Sequence, residues 1–330
     1  MSKILITGGA GFIGHHFVEH FLKNTDFQII VLDKLNYASF GFDRLRDISV
    51  FDDQRVRVLT ADFTQTLSCG IVQEIGDIDY ILHIGAETHV DNSIKDPIPF
   101  VLSNVLGTVY MLEFARKLKN LKKFIYFSTD EVFGPAPQGV LYKEWDRYNS
   151  GNPYAASKAG GEEFCLAYAN TYKLPVFITH TMNVFGERQH PEKFIPSTIR
   201  KILGGQTVYV HSDPTKTKAG SRFYIHARNA ASAVHFLLDK AQKGDKYNIV
   251  GEKEVDNLEL AKFIAKVIGK PLKYEMVNFH ESRPGHDLRY ALDGTKLREM
   301  GYTPLKTFEQ SLEKTITWIT DPKNVRWLNI

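Results

Sequence analysis

Gly8-Gly9-Ala10-Gly11-Phe12-Ile13-Gly14 is the stretch on which the reading of this 330-residue chain turns. It follows the apolar run Ile4-Leu5-Ile6, which reads as a buried parallel strand. It precedes residues 15–23, where Phe17, Val18, Phe21 and Leu22 recur at helical spacing. Strand, glycine turn and helix together present bare backbone N–H groups and the positive end of a helix to a pyrophosphate. The spacing is Gly-x-x-Gly-x-x-Gly, not the commoner Gly-x-Gly-x-x-Gly. A second strand over residues 27–32 ends at Asp33, about twenty residues past the last glycine, where an acid holds the ribose of an adenosine. Its charge repels a 2′-phosphate, so NAD is expected in preference to NADP. Lys34 is the neighbouring charge that opposes this preference.

The bulk numbers exclude several classes. Hydrophobic residues make up 43% and charged residues 24%, the balance of an ordinary globular protein. A formal net charge of +3 is too small to argue for nucleic acid or a membrane surface as partner. No apolar run is expected to span a membrane. With the first strand beginning at Lys3, no cleavable leader is expected either, and the expected location is cytoplasmic. Cys69 and Cys165 are far apart and read as reduced structural thiols. The 12 histidines show no metal-ligand spacing, so no metal is expected.

Beyond the first two strands, residues 56–59, 80–84, 124–127 and 176–179 read as further strands, with long helices over 99–118 and 153–172. This alternation predicts an α/β fold: a doubly wound, Rossmann-type parallel sheet with ligands outside the carboxyl ends of its strands. The second half is less regular. Helices are expected over 194–203, 227–238, 258–268 and 308–319, short strands over 207–210 and 273–277, and a surface hairpin tip over 212–220. The expected division is a dinucleotide-binding domain over 1–183, joined by a segment near 224–250, and a smaller mixed α/β substrate lobe over 184–330. A substrate site is expected in the cleft between them.

Two groups of residues carry chemistry. Tyr154 and Lys158 are four apart on a helix and share a face, so the ammonium is expected to favour a phenolate and make the tyrosine a base. Ser128-Thr129-Asp130-Glu131 stands at the end of the fifth strand, and two adjacent carboxylates divide acid and base roles when their environments separate their pKa values.

These motifs resemble those of the extended short-chain dehydrogenase/reductases, and within them the nucleotide-sugar 4,6-dehydratases. The likeness covers nearly the whole chain. Gly8–Gly14 is similar to the family's cofactor loop and Asp33-Lys34-Leu35-Asn36-Tyr37-Ala38 to its ribose-binding turn. The run His83 to Ile94 (HIGAETHVDNSI) resembles its active-site strand end, and Ser103-Asn104-Val105 its following helix. Thr129-Asp130-Glu131 resembles the dehydratase triplet, and Pro191-Glu192-Lys193 and Arg283-Pro284-Gly285-His286-Asp287 its substrate signatures.

The resemblance implies a three-stage reaction. Tyr154, assisted by Thr129 and Lys158, takes the C4 hydroxyl proton of a nucleotide-hexose while hydride passes to NAD. Glu131 then removes the C5 proton and Asp130 protonates the departing C6 hydroxyl. Hydride finally returns to C6 and C5 is reprotonated, giving a 4-keto-6-deoxy sugar. The resemblance also implies cofactor contacts from Gly8, Gly11, Phe12, Ile13, Gly14, Asp33, Lys34, Asp62, Phe63, Ala86 and Asn104. It implies substrate contacts from Thr88, His89, Asn183, Lys193, Arg222, Arg283 and His286. A homodimer is implied through the two long helices. The chain departs from the pattern at Gly85, at His180 (the family usually has Arg), at Asn183-Val184-Phe185-Gly186 and in the longer loop 212–220. These departures leave the nucleotide and the sugar open, with dTDP-glucose ahead of UDP-glucose or another nucleotide-hexose. Rival readings are an epimerase or decarboxylase on the same fold, or a non-enzymatic NAD-binding scaffold.

Overall fold

The computed structural model describes residues 1–278 and 288–329. Six parallel strands come from the first half: β1 (Lys3–Thr7), β2 (Gln28–Asp33), β3 (Val56–Thr60), β4 (Tyr80–His83), β5 (Lys123–Thr129) and β6 (Val176–Thr181). A seventh, Lys246–Ile249, adds to the edge of β6, and the order across the sheet is β3-β2-β1-β4-β5-β6-(246–249). The order reverses beside β1, which is where a doubly wound sheet opens a crevice for ligand.

Alternation along β1 feeds the two faces of the sheet. Ile4 and Ile6 join a core with Phe17 and Val18 of α1 (Phe12–Asn24) and with Ala230 and Val234 of the helix Ala227–Lys240. Leu5 faces the opposite core, with Met111, Leu112, Cys165 and Ala169. Both faces are therefore covered by helices, as an all-parallel sheet requires. In the second half, the helices Phe194–Leu203, Asn257–Ile268 and Phe308–Thr320 enclose a third core. The strands Val208–Ser212 and Tyr274–Asn278 pair in parallel beside it.

Three sequence expectations change. Residues 246–249, Lys-Tyr-Asn-Ile, carry no apolar run, yet they form the seventh strand. Lys246 and Asn248 are buried because polar partners await them (below). The helix expected over 99–118 runs over Ile98–Ala115 instead, and residues Val101–Leu106 wind as a π-helix. A Cβ on Gly107 would fall 2.8 Å from Phe63 Cδ2, so this helix approaches Phe63 more closely than a side chain would allow. The wide turn carries Asn104 inward, a common use of π geometry near functional sites. Contrary to the reading of apolar runs, Ile98–Ala115 is long and apolar enough to cross a membrane, but half of it is buried within this fold.

Candidate active site

The glycine turn closes tightly over the end of β1. Gly8 has φ +69°, and a Cβ there would sit 2.7 Å from the Cα of Gly85. A Cβ on Gly14 would sit 2.1 Å from the Gly8 carbonyl oxygen, so α1 can approach the turn only with glycine at that position. The first turn of α1 has no acidic residue and no side-chain cap, which leaves its N–H groups available to an anion. Asp33 ends β2, where its Oδ2 accepts from Ala10 N at 3.0 Å and its Oδ1 from Leu35 N at 2.8 Å. Burial nevertheless raises its pKa. Lys34 Nζ lies 3.2 Å from Glu87 Oε1, so that charge is turned towards Glu87.

A cavity of about 640 Å³ runs from this turn into the second half of the chain. Gly8, Gly11, Phe12, Ile13, Gly14, Asp33, Lys34, Phe63 and Ala86 line it. Thr129, Asp130, Glu131, Tyr154 and Lys158 also line it, so the two chemical groups separated in sequence face one space. Two residues expected at the cofactor do not line the wall. Asp62 accepts from Thr64 N at 2.9 Å within its own turn. Asn104 is buried, and its amide clamps Glu87 N and O at 2.8 and 2.9 Å and Ser157 Oγ at 2.9 Å. It therefore supports the wall from behind.

Thr129 is the last residue of β5 and caps the short 3-10 turn Asp130–Phe133. Its hydroxyl lies 3.1 Å from Asp130 Oδ1. Asp130 is 3% exposed, and its Oδ2 is buried without a hydrogen-bond partner. Burial, reinforced by the charge of Glu131, pushes its pKa up to about 7, with Arg222 opposing. Glu131 is less buried and accepts from Asn152 Nδ2 at 3.0 Å. Asn152 also caps the helix Pro153–Thr171, so one residue ties the carboxylate to the start of the tyrosine helix.

Tyr154 is held by a hydrogen bond from its backbone N to Ser93 Oγ at 3.1 Å. Burial and the Glu131 carboxylate hold its pKa above the usual tyrosine range, while a hydrogen bond with Thr129 pulls the other way. Lys158 turns its ammonium to a main-chain carbonyl. Its Nζ donates to the Phe127 carbonyl at 2.8 Å and sits 4.2 Å over the Tyr126 ring, and burial lowers its pKa to about 8. The hydrogen bond with Thr129 favours the Tyr154 phenolate, while the Lys158 ammonium is engaged by the Phe127 carbonyl.

The protonated Asp130 has a consequence for stability. Its folded pKa lies above the ordinary 3.8, so between about pH 4 and 7 the folded state keeps a proton that the unfolded chain releases, and stability falls across that window. Asp130→Asn is expected to stabilise the protein by about 1–3 kcal/mol at pH 8 and by nothing comparable at pH 4. Thermal midpoints at the two pH values check this. Equal shifts at both would show that the carboxyl is not under strain.

The residues expected at the substrate spread along the rest of the cavity. Thr88, His89, Asn183, Lys193 and Arg222 line it, while Arg283 and His286 lie outside the described residues. Asn183 Oδ1 is buried with no hydrogen-bond partner among the described residues. Arg222 stacks 4.7 Å over Tyr290 and donates to Ser221 O at 2.7 Å. Glu192 Oε2 lies 3.4 Å from His89 Nε2 and 3.6 Å from His190 Nδ1, a contact that crosses the cavity mouth. Tyr209, His211 and Asn257 also line the cavity and escaped the sequence reading. The alternation of Val208 and Val210 with Tyr209 and His211 was the available signal, since the valines face the third core. Of the departures, Gly85 is explained, since a Cβ there would lie 2.5 Å from Phe63 Cε1. The 212–220 loop is a surface tip knitted by Asp213, which accepts from Thr217 N and Lys218 N at 2.9 Å each.

The profile of the GDP-mannose 4,6-dehydratase family matches residues 5–315. The chain belongs to this family. A dTDP-glucose 4,6-dehydratase of Salmonella typhimurium is 36% identical over 350 residues, covering 99% of this chain and 94% of that protein. The structure of a dTDP-glucose 4,6-dehydratase from Streptomyces venezuelae, solved with NAD bound, superposes with a TM-score of 0.87 at 35% identity, covering 98% of each chain. A UDP-glucuronic acid 4-epimerase from Bacillus cereus, solved with UDP-glucuronic acid and NAD, reaches a TM-score of 0.86 at 26% identity, over 96% of this chain and 98% of that one. Dehydratase and epimerase relatives thus share the fold, and what separates them must be sought in the site of this 4,6-dehydratase family member.

Proposed function

We propose that this chain is an NAD-dependent nucleotide-sugar 4,6-dehydratase, with dTDP-glucose the first candidate substrate. One observation carries the reading. Two adjacent carboxyl groups in unlike environments, Asp130 held protonated near neutral pH and Glu131 more open, face one cavity with Tyr154. Elimination of water needs one proton removed and another delivered, and a buried carboxyl beside a more open one suits these two tasks.

The glycine turn and Asp33 fit a dinucleotide. The N–H groups at the start of α1 would take the pyrophosphate, and Asp33, held at β2, the adenosine ribose. With Lys34 engaged by Glu87, little opposes the repulsion of a 2′-phosphate, which supports NAD over NADP. Bound NAD supplies a reversible hydride acceptor at the sugar. The chain's own residues handle protons. Tyr154, through its hydrogen bond with Thr129, takes the C4 hydroxyl proton. Glu131 takes the proton at C5, made acidic by the neighbouring ketone, and Asp130 delivers one to the C6 hydroxyl as it leaves. Asn183, Lys193 and Arg222 serve the phosphates of the substrate, and Thr88 and His89 its hexose, with Arg283 and His286 proposed from the motif alone.

The exposed apolar residues Ile98, Val101, Leu102 and Leu106, with Phe164 of the neighbouring helix, favour a homodimer through these helices. We assign residues 1–183 to cofactor binding and 184–330 to the substrate lobe, in a cytoplasmic enzyme. The test is incubation with dTDP-glucose and, separately, UDP-glucose, without added NADH, followed by mass spectrometry. Loss of one water from dTDP-glucose is the expected result. Unchanged mass with inverted sugar stereochemistry would assign an epimerase, and retained NAD with no turnover of either sugar would assign a scaffold.

A further inference from the structure

The proposed mechanism leaves one buried group of polar side chains without a role: Ser128, Tyr148, Glu162, His180, Lys246 and Asn248. Glu162 and His180 are 0% exposed. Glu162 lies one helical turn beyond Lys158. It accepts hydrogen bonds from the hydroxyls of Ser128 and Tyr148, and its Oε2 lies 3.0 Å from His180 Nε2 and 3.7 Å from Lys246 Nζ.

A proton on His180 Nδ1 follows from its neighbours. Asn248, opposite His180 on the adjacent strand, donates its amide hydrogens to the carbonyls of Tyr142 and Asp293, both at 3.0 Å. Its Oδ1 is therefore an acceptor, and His180 Nδ1 at 3.0 Å must donate to it. Its Nε2 lies 3.0 Å from Glu162 Oε2 and 3.1 Å from the Tyr148 hydroxyl, so imidazole, carboxyl and phenol meet at one buried point. On its other side, the His180 ring packs edge-on against Phe133, with centroids 4.8 Å apart at 71°.

We propose that His180 is a positioning residue that fixes the Asp130–Phe133 turn from both ends. Through Glu162 it anchors Ser128, two residues before Asp130, and through its ring it backs Phe133, the last residue of the turn. Glu162 also sits on the helix that carries Tyr154 and Lys158, so the pair sets the spacing between the carboxyl groups and the tyrosine. Displacing catalytic groups by about 1 Å costs up to about 100-fold in rate, so a group this far from the reacting atoms still governs them. His180 touches neither carboxyl group, and its role runs through Ser128 and Phe133.

The inference rests on the dehydratase reading, and the test separates the two. His180→Gln keeps a polar group towards Glu162 but loses the ring. The double variant His180→Gln/Glu162→Gln leaves no unpaired buried carboxylate and serves should the single variant fail to fold. With dTDP-glucose, either is expected to lower kcat about 10- to 100-fold, with KM within about twofold of the parent and NAD retained. Elimination should suffer more than C4 oxidation, so reduced nicotinamide should build up during turnover where the parent shows little. A variant with a lowered thermal midpoint but parental kcat and parental nicotinamide reduction would overturn the positioning role and leave the dehydratase reading standing. A parent protein that removes no water from the sugar would end both.

Discussion

Tyr154→Phe is expected to lower turnover of the nucleotide sugar by about 10³- to 10⁴-fold, with no reduced nicotinamide formed on mixing. The phenol is the only polar atom of that side chain, and the ring remains packed against Phe100 with centroids 6.4 Å apart, so the fold should survive. The loss falls on the first proton transfer, before any chemistry at C5 or C6. Thr129 is the hydrogen-bonding partner that favours the phenolate, so Thr129→Val should show a weaker form of the same defect. Stopped-flow absorbance of the nicotinamide gives the measurement. Rapid reduction in Tyr154→Phe would remove the tyrosine from the oxidation step.

Glu131→Gln should fail in the opposite way. Its carboxylate has no part in C4 oxidation, so substrate should reduce the nicotinamide in a single burst and then stall, with overall turnover down by about 10²- to 10⁴-fold. The glutamine can still accept from Asn152 Nδ2 through its own oxygen, which preserves the link to the tyrosine helix. Removing the negative charge also relieves one cause of the raised pKa at Asp130. The proton donor should therefore be weaker at neutral pH than in the parent, deepening the stall. Full activity in this variant would mean that another group takes the C5 proton. The two variants are informative as a pair, since one leaves the cofactor oxidised and the other leaves it reduced.

The sheet was legible because its strands are apolar on both faces and end in residues with special chemistry. Ile4-Leu5-Ile6 before the glycines and Asp33 at the end of β2 belong to that kind. The strand Lys246–Ile249 was not legible, because a lysine and an asparagine are buried there against polar partners, Glu162, His180 and Tyr142 among them, that lie far away in sequence. The residues that meet at the cavity wall could be named from Tyr154-x-x-x-Lys158 and the Thr129-Asp130-Glu131 run. The direction of Lys158 could not, since a four-residue spacing states which face a side chain shares and not which carbonyl it chooses. Asn104 was read as a cofactor contact because its motif lies beside the site, while the π-helix that turns it behind the wall leaves no mark on composition. Asp130 could be named from sequence as an acid, but its burial, which makes it one at neutral pH, is a property of the packed turn.

The late arrival of the sheet's seventh strand bears on how the chain is made. Until residue 249 has left the ribosome, β6 presents an open row of amide and carbonyl groups, and Glu162 and His180 lack Lys246 and Asn248. A nascent chain of residues 1–183 would hold nearly all of the nucleotide machinery beside a sticky rim and an incomplete buried charge cluster. Synthesis pauses within that interval would prolong exposure of the rim, so aggregation during expression should track the time spent between these two points.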